Sequence, residues 1–402
     1  MNKTKKDKNK TSKIGKNKTS KISKNKTSKN KIGKTTKKKI VKNKVLKSST
    51  PLKIRKISNK IAKNLSSYSP TINQQLVTLK SIPRKELLDC NIKEAYELKE
   101  PLKIGISGSI YGKTCYNYNS NEAKKFLLKN LAADKHVDIK KIVPPLQIQS
   151  NCWFNAFFVT FFISDKGRKF FHFLRQLMIQ GKNNKGKEIP ENIRNAFALL
   201  NFGIDASLTG NKYAYELNTN VIIHKLFKSI PQTYKQQFPH IVDVDEAGNP
   251  LLYYISIINY LNDNSIFVLF LRDCKSNWKD VLIENTQKIQ HLPHIIVLEV
   301  FDNRAAEFNK KPVSFTVNDA KYAIDSAVVR DVSKQHFCSM ITCEKKQMGY
   351  DGMSFHRIVP MEWKNKLNTN LNWQFEGTND YDNTPLIWNF TKSYQMLFYY
   401  RV

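Results

Sequence analysis

PPLQIQSNCWFNAFFVTFFISD, residues 144–165, carries an apolar run from Cys152 to Ile163 that no glycine or proline interrupts. Two prolines and a short polar segment precede it, which favours an extended or irregular lead-in. The run is apolar on nearly every side, the pattern of a buried helix with Cys152 in its first turn. Asn151 is placed to be its N-cap. A thiol at that position faces backbone N–H groups without intrahelical acceptors and the positive end of the helix dipole. That is a setting in which a thiol becomes an attacking thiolate. The competing reading is a small buried residue of the core.

The composition bounds the rest. Of 402 residues, 41% are hydrophobic, enough for a sizeable core, and the formal net charge is +34. The charge is uneven: residues 1–66 hold 25 Lys and Arg against one acid, Asp7, so they carry +24 and the remainder +10. KNKTSKIG (8–15), KNKTSKIS (16–23) and KNKTSKNK (24–31) repeat every eight residues with at most one Ile each. Such a tail lacks the apolar mass to offset the entropy of ordering, and disorder is expected over 1–66. It suits polyanions, nucleic acid included, through phosphate charge without sequence preference, because no aromatic lies before Tyr68. KKKIVKNK (37–44) also fits a nuclear localisation patch. A merely tolerated, solubilising tail is the alternative.

Six cysteines, at 90, 115, 152, 274, 338 and 343, form no CxxC pair. Neither a zinc ribbon nor a disulfide framework is expected, and free thiols imply an intracellular compartment, cytoplasm or nucleus. No secretory signal precedes the repeats and no apolar run is long enough for a membrane span.

Residues 67–143 read as a mixed extension, with helices expected at Arg84 to Leu98 and Asn121 to Asp134. Between them SGSIYGKT (107–114) is one residue from a phosphate-binding loop, following the strand-like LKIGI. The CYNYNSN after it does not open the helix that such a loop needs, so a Gly-rich turn is the reading and no cofactor is expected. Beyond the cysteine helix, helical spacing recurs at Phe170 to Ile179, Glu191 to Phe202, Tyr215 to Ser229 and Leu251 to Leu261. Strand-like runs follow at Ser265 to Leu271, Leu292 to Phe301, Tyr322 to Val329, Phe337 to Cys343 and Ser393 to Arg401. Helices first and strands later imply an α+β fold, a helical lobe against an antiparallel sheet.

A cysteine nucleophile needs a base and a group to orient it. His172 and His224 fall inside helical patterns and read as surface or boundary residues; His294 lies mid-strand. His336 starts the strand HFCSMITC after the polar DVSK. A turn at Lys345 to Gly349 would return the chain so that Asp351 lies beside His336. A structural histidine is the competing reading.

Several blocks resemble the ubiquitin-specific proteases. LQIQSNCWFNAFF is similar to that family's cysteine box, N-x-G-x-T-C-Y-M-N-[AS]. LPHIIVLEVF is similar to its LP-x-x-L strand, YAIDSAVVRDVSKQHFCSMITCEKKQMGYDG to its histidine box, and SYQMLFYYR to its closing strand; YAYEL (213–217) resembles its D-A-x-E-F helix more weakly. The resemblance spans 144–402 and implies a papain-like cysteine peptidase fold with a helical thumb on a sheet palm. It implies Cys152 as nucleophile, His336 as base, Asp351 as orienter and Gln147, where the family has Asn, as oxyanion donor. It calls for no metal or cofactor and makes ubiquitin or ubiquitin-like conjugates the expected partners. Gln149 and Gln335 stand where the family has glycines that narrow the channel for a Gly-Gly tail. The 184 residues from Cys152 to His336 imply reduced fingers. Two rival readings remain: a cysteine protease for other proteins, such as structural proteins of a large virus, and a catalytic relic whose basic tail acts as a scaffold.

The tail's charge yields a test. Deleting 1–66 should sharply weaken binding to two unrelated DNA duplexes, and binding by the full chain should fall steeply as salt rises. Equal affinity with and without the tail, or a flat salt response, would show that it is no anchor.

Overall fold

The computed structural model describes residues 88–90, 102–109, 112–289, 291–308, 310–379 and 383–402. The Lys-rich repeats, the localisation patch and most of the expected helix at 84–98 lie outside them. The first elements are β1 (Leu88–Asp89), β2 (Lys103–Ser109), β3 (Gly112–Asn117) and α1 (Asn121–Ala133). Next come α2 (Cys152–Phe162), α3 (Asp165–Phe170), α4 (His172–Gln180), α5 (Glu191–Thr209), α6 (Lys212–Tyr215), α7 (Thr219–Ser229), α8 (Gln232–Gln237) and α9 (Pro250–Leu261). The remainder is β4 (Val268–Leu271), α10 (Trp278–Lys288), β5 (Ile295–Val300), α11 (Asp302–Ala305), β6 (Ser314–Val317), β7 (Ala320–Arg330), β8 (Phe337–Cys343), β9 (Lys346–Tyr350), β10 (Ile358–Pro360) and β11 (Gln395–Arg401). The fold is α+β, helices before strands.

The large sheet runs β10-β9-β8-β7-β11-β5-β4, with β6 paired to β7. It departs from the antiparallel expectation at one edge, where β4 and β5 are parallel. Parallel neighbours need a crossover, and α10, which the sequence reading missed, supplies it. Strand β9 was missed because the turn before it is shorter than expected. The turn is not Lys345 to Gly349 but the two residues Glu344 and Lys345, with φ of 45° and 63°. A two-residue turn with both φ positive matches the twist of its strands. Cys343 therefore pairs with Lys346 and Ser339 with Tyr350.

Every residue of α2 is buried. Phe161 stacks on Phe171 at 4.1 Å and meets Tyr254 and Phe398 edge-on at 5.0 and 5.8 Å, joining two helices and a central strand around one ring. The other face of the sheet has its own core around Trp278, Trp363, Trp388 and Phe390.

The small sheet β1-β2-β3 corrects two expectations. Leu88–Asp89 is a strand, not helix, and Cys90 forms a disulfide with Cys115, their Cα atoms 5.8 Å apart. The pair is 25 residues apart in sequence, and only the pairing of β1 on β2 on β3 brings it together. Cysteine usage therefore no longer speaks for a reducing compartment. Of SGSIYGKT, residues 107–109 lie in β2 and 112–114 in β3, and the next helix starts only at Asn121, so the helix that a phosphate loop needs does not follow directly. Residues of this hairpin and α1 share a core with Phe202 and Tyr213 of the helical lobe. No helix among the described residues is long and apolar enough to cross a membrane.

Phe161→Ala should cost about 3–5 kcal/mol of unfolding free energy, the usual range for a truncated core Phe. Denaturant melts would show it as a lower midpoint, and a loss under 1 kcal/mol would mean that the ring does not clamp helix to sheet.

Candidate active site

Cys152 opens α2 as the sequence suggests, but Asn151 does not cap the helix with its side chain. Its Oδ1 instead accepts from Ile148 N at 3.2 Å and Asn155 Nδ2 at 3.2 Å, and its Nδ2 donates to Thr219 Oγ1 at 2.9 Å. Thr219 donates to Asn155 Oδ1 at 2.6 Å. The first N–H groups of α2 are thus not taken by the Asn151 side chain. The polar knot fastens the lead-in to α7 and fixes the loop before the cysteine. Asn155, an amide in an apolar helix, was a visible signal of this; Thr219 was not.

The same loop is tied to the sheet. Gln147 N donates to Gly352 O at 2.9 Å, Tyr350 Oη to Pro145 O at 2.7 Å and Arg357 Nη1 to Pro144 O at 2.9 Å. A Cβ on Gly352 would come within 2.9 Å of Gln147 N and of the Tyr350 hydroxyl, so the close approach needs glycine there. Gln147 Nε2 donates to Gln149 O at 3.2 Å, leaving its second amide hydrogen without a protein acceptor among the described residues. Gln149 takes φ +59°, the left-handed region that glycine favours, and Asn220 Nδ2 holds its Oε1 at 3.1 Å.

His336 and Asp351 lie just beyond the open end of the β8–β9 hairpin, whose last pair is Ser339 with Tyr350. His336 Nε2 is 2.7 Å from Asp351 Oδ1. Nδ1 takes no part in that bond, and Cys152 lines the same cleft as the ring, close enough to weigh on its charge. Burial alone would pull this imidazole down; hydrogen bonds and negative charge from Asp351 and Cys152 outweigh it and push it up to about 10. The Cys152 thiol is 3.8 Å from Gln335 O.

Asp351 is fully buried. Its Oδ2 accepts from Thr378 Oγ1 and its Oδ1 from Met353 N at 3.3 Å, so both oxygens are held. Trp388 packs on the His336 ring with centroids 5.7 Å apart. Thr378 and Trp388 come from the irregular segment before β11 and left no trace in the sequence pattern. Asp331 braces the loop that precedes His336, accepting from Ser333 N at 2.8 Å and from Lys334 N and Ile387 N.

Cys152, His336 and Gln147 line one cleft of about 850 Å³ with Gln149 and Gln335 at its rim. The remaining free cysteines are buried, Cys338 and Cys343 within β8. Burial raises Cys338 well above the thiol range, Cys343 to about 11 and Cys274 to about 12. Of the other histidines, His240 lines the same cleft. His172 is buried in the core, contrary to the surface expectation, and burial pushes it down to about 3. His294 accepts from Phe267 N at 2.8 Å, and His224 pairs with Asp243 at 3.0 Å.

No family model and no curated protein matches the chain. Among solved structures it is similar to an essential yeast splicing factor, at 10% identity over 75% of this chain and 84% of that one, with a TM-score of 0.37. It is also similar to yeast SAGA DUBm, at 10% identity over 87% of this chain and 95% of that one, with a TM-score of 0.32.

An imidazolium held at a raised pKa contributes stability in full below the ordinary imidazole range and loses it as pH rises through about 10. An NMR titration of the His336 ring should therefore show proton loss near that pH. Asp351→Asn should move the loss down by about two units, since a neutral amide removes the charge. An unmoved titration would make Asp351 a spectator.

Proposed function

We propose that the chain is a cysteine-dependent hydrolase of the ubiquitin-specific protease type, in a papain-like fold, that removes ubiquitin or a ubiquitin-like modifier. The observation that carries this reading is the Cys152–His336–Asp351 arrangement, with Asp351 bonded to one ring nitrogen and Cys152 lining the same cleft as the ring. The motif blocks across 144–401 supply the substrate class.

The Cys152 thiolate attacks the carbonyl of the modifier's terminal glycine, and His336 keeps the thiol proton as imidazolium. The oxyanion is held by Cys152 N–H and by the free amide hydrogen of Gln147. The tetrahedral intermediate expels the lysine amine, which takes the proton from His336. Water, deprotonated by the now neutral His336, cleaves the thioester and regenerates the thiol. Asp351, held by Thr378 and Met353 N, keeps the ring oriented with Nδ1 toward the sulfur throughout.

Gln149 and Gln335 favour a second reading, a cysteine protease for other proteins. Both side chains are exposed at the rim where a Gly-Gly tail would have to thread. Peptide profiling separates the two, because a modifier hydrolase selects Gly-Gly before the cut and the second enzyme does not.

A ubiquitin probe with a C-terminal electrophile should label Cys152 in the full chain. Cys152→Ala should abolish both labelling and turnover while the fold survives. Failure of ubiquitin and ubiquitin-like probes alike to label the folded protein would end the modifier reading.

A further inference from the structure

A second concavity, of about 530 Å³, lies beside β10, the edge strand of the large sheet. Its floor is apolar, formed by residues such as Ile139, Pro144, Met348 and Ile358. Its two aromatics are among the most exposed large side chains among the described residues, Phe355 at 74% and Tyr215 at 59%. Isolated apolar side chains on a surface need no explanation, but two aromatics on one apolar concavity do.

The Phe355 ring is held in place, and Tyr215 is anchored through its backbone. Phe355 N donates to Glu376 O at 3.0 Å, and its ring lies so close over Gly377, at φ +81°, that a Cβ there would come within 2.5 Å of it. Tyr215 O accepts from Arg357 Nη2 at 3.2 Å. The Phe355 ring is therefore presented to a partner at little entropic cost.

The rim charge is of one sign. Lys140, Lys346 and Arg357 line the groove, and no carboxylate is among the described residues that do. Arg357 bonds only carbonyl oxygens, those of Pro144, Ala214 and Tyr215, so its charge stays uncompensated locally. A basic rim on an apolar floor selects an occupant that is both apolar and acidic. The chain's own residues 1–66, at +24, are repelled, and so is a second copy of a chain of net +34.

We propose that this groove is a docking site for an acidic, apolar-anchored peptide segment of a partner protein, its apolar side chains set between Phe355 and Tyr215 and its carboxylates on Lys140 and Lys346. The site is separate from the Cys152 cleft and does not depend on the hydrolase reading.

The test uses the full chain and three fluorescent ten-residue peptides read by polarisation. One sets Leu, Ile and Phe among Asp and Glu; the second replaces the apolar residues with Ser; the third replaces the acids with Lys. Acidic charge alone will bind the Lys-rich tail, so the second peptide measures that contribution. The first should bind about tenfold tighter than the second, and the third should not bind. Phe355→Ala and Lys346→Glu, both at exposed positions, should each remove the tenfold margin. Equal binding of the first two peptides, binding of the basic one, or a margin that survives both substitutions would overturn the proposal.

Discussion

A helix that is apolar on every side has to be covered on every side. That constraint on α2 organises the molecule. One flank goes to the helical lobe through Trp153, Phe157 and Tyr253, and the other to the sheet through Phe161 and Phe398. Its body is held between the two layers, so its N-terminus emerges at their junction. Cys152 sits there, where side chains from the sheet reach it, and the aromatic interlock that buries the helix also places its first residue.

The polar groups follow from the same geometry. Where the apolar helix begins, the lead-in has backbone groups that need partners away from water. Asn151, Asn155 and Asn220 supply them, with Thr219 of the lobe bonded to the first two side chains. Gly352, Tyr350 and Arg357 supply them on the sheet side. The loop before Cys152 is therefore bonded to both layers, and Asp351 belongs to the segment that fastens it. Thr378 reaches the second oxygen of that carboxylate, so its acceptors meet protein donors on both sides. The cleft is built on braced loops, the condition that a preorganised site needs.

Periodicity by itself determined the α+β class, most helices of the lobe, the cysteine helix and strands β7, β8 and β11, because those runs are long and their apolar spacing is regular. It determined Cys152 as a helix-start thiol and made His336 and Asp351 candidates through a strand, a turn and a second approach of the chain. Short or amphipathically weak elements escaped it: α10, with one fully buried flank around Trp278 and Leu282, and β9, hidden because Lys345 to Gly349 looked like turn chemistry. Tertiary structure alone decided what depends on distant pairing. The parallel β4–β5 edge needs a crossover, and the Cys90–Cys115 bond needs three strands in register. Burial, which only the folded chain defines, raises Cys338 and Cys343, and neither lines the cleft that Cys152 lines. The hydrogen bond from Thr378 joins residues 27 apart through an irregular segment, where no period exists to reveal it. A linear pattern records which face a residue turns inward; which groups then meet is set by how the two layers close on α2.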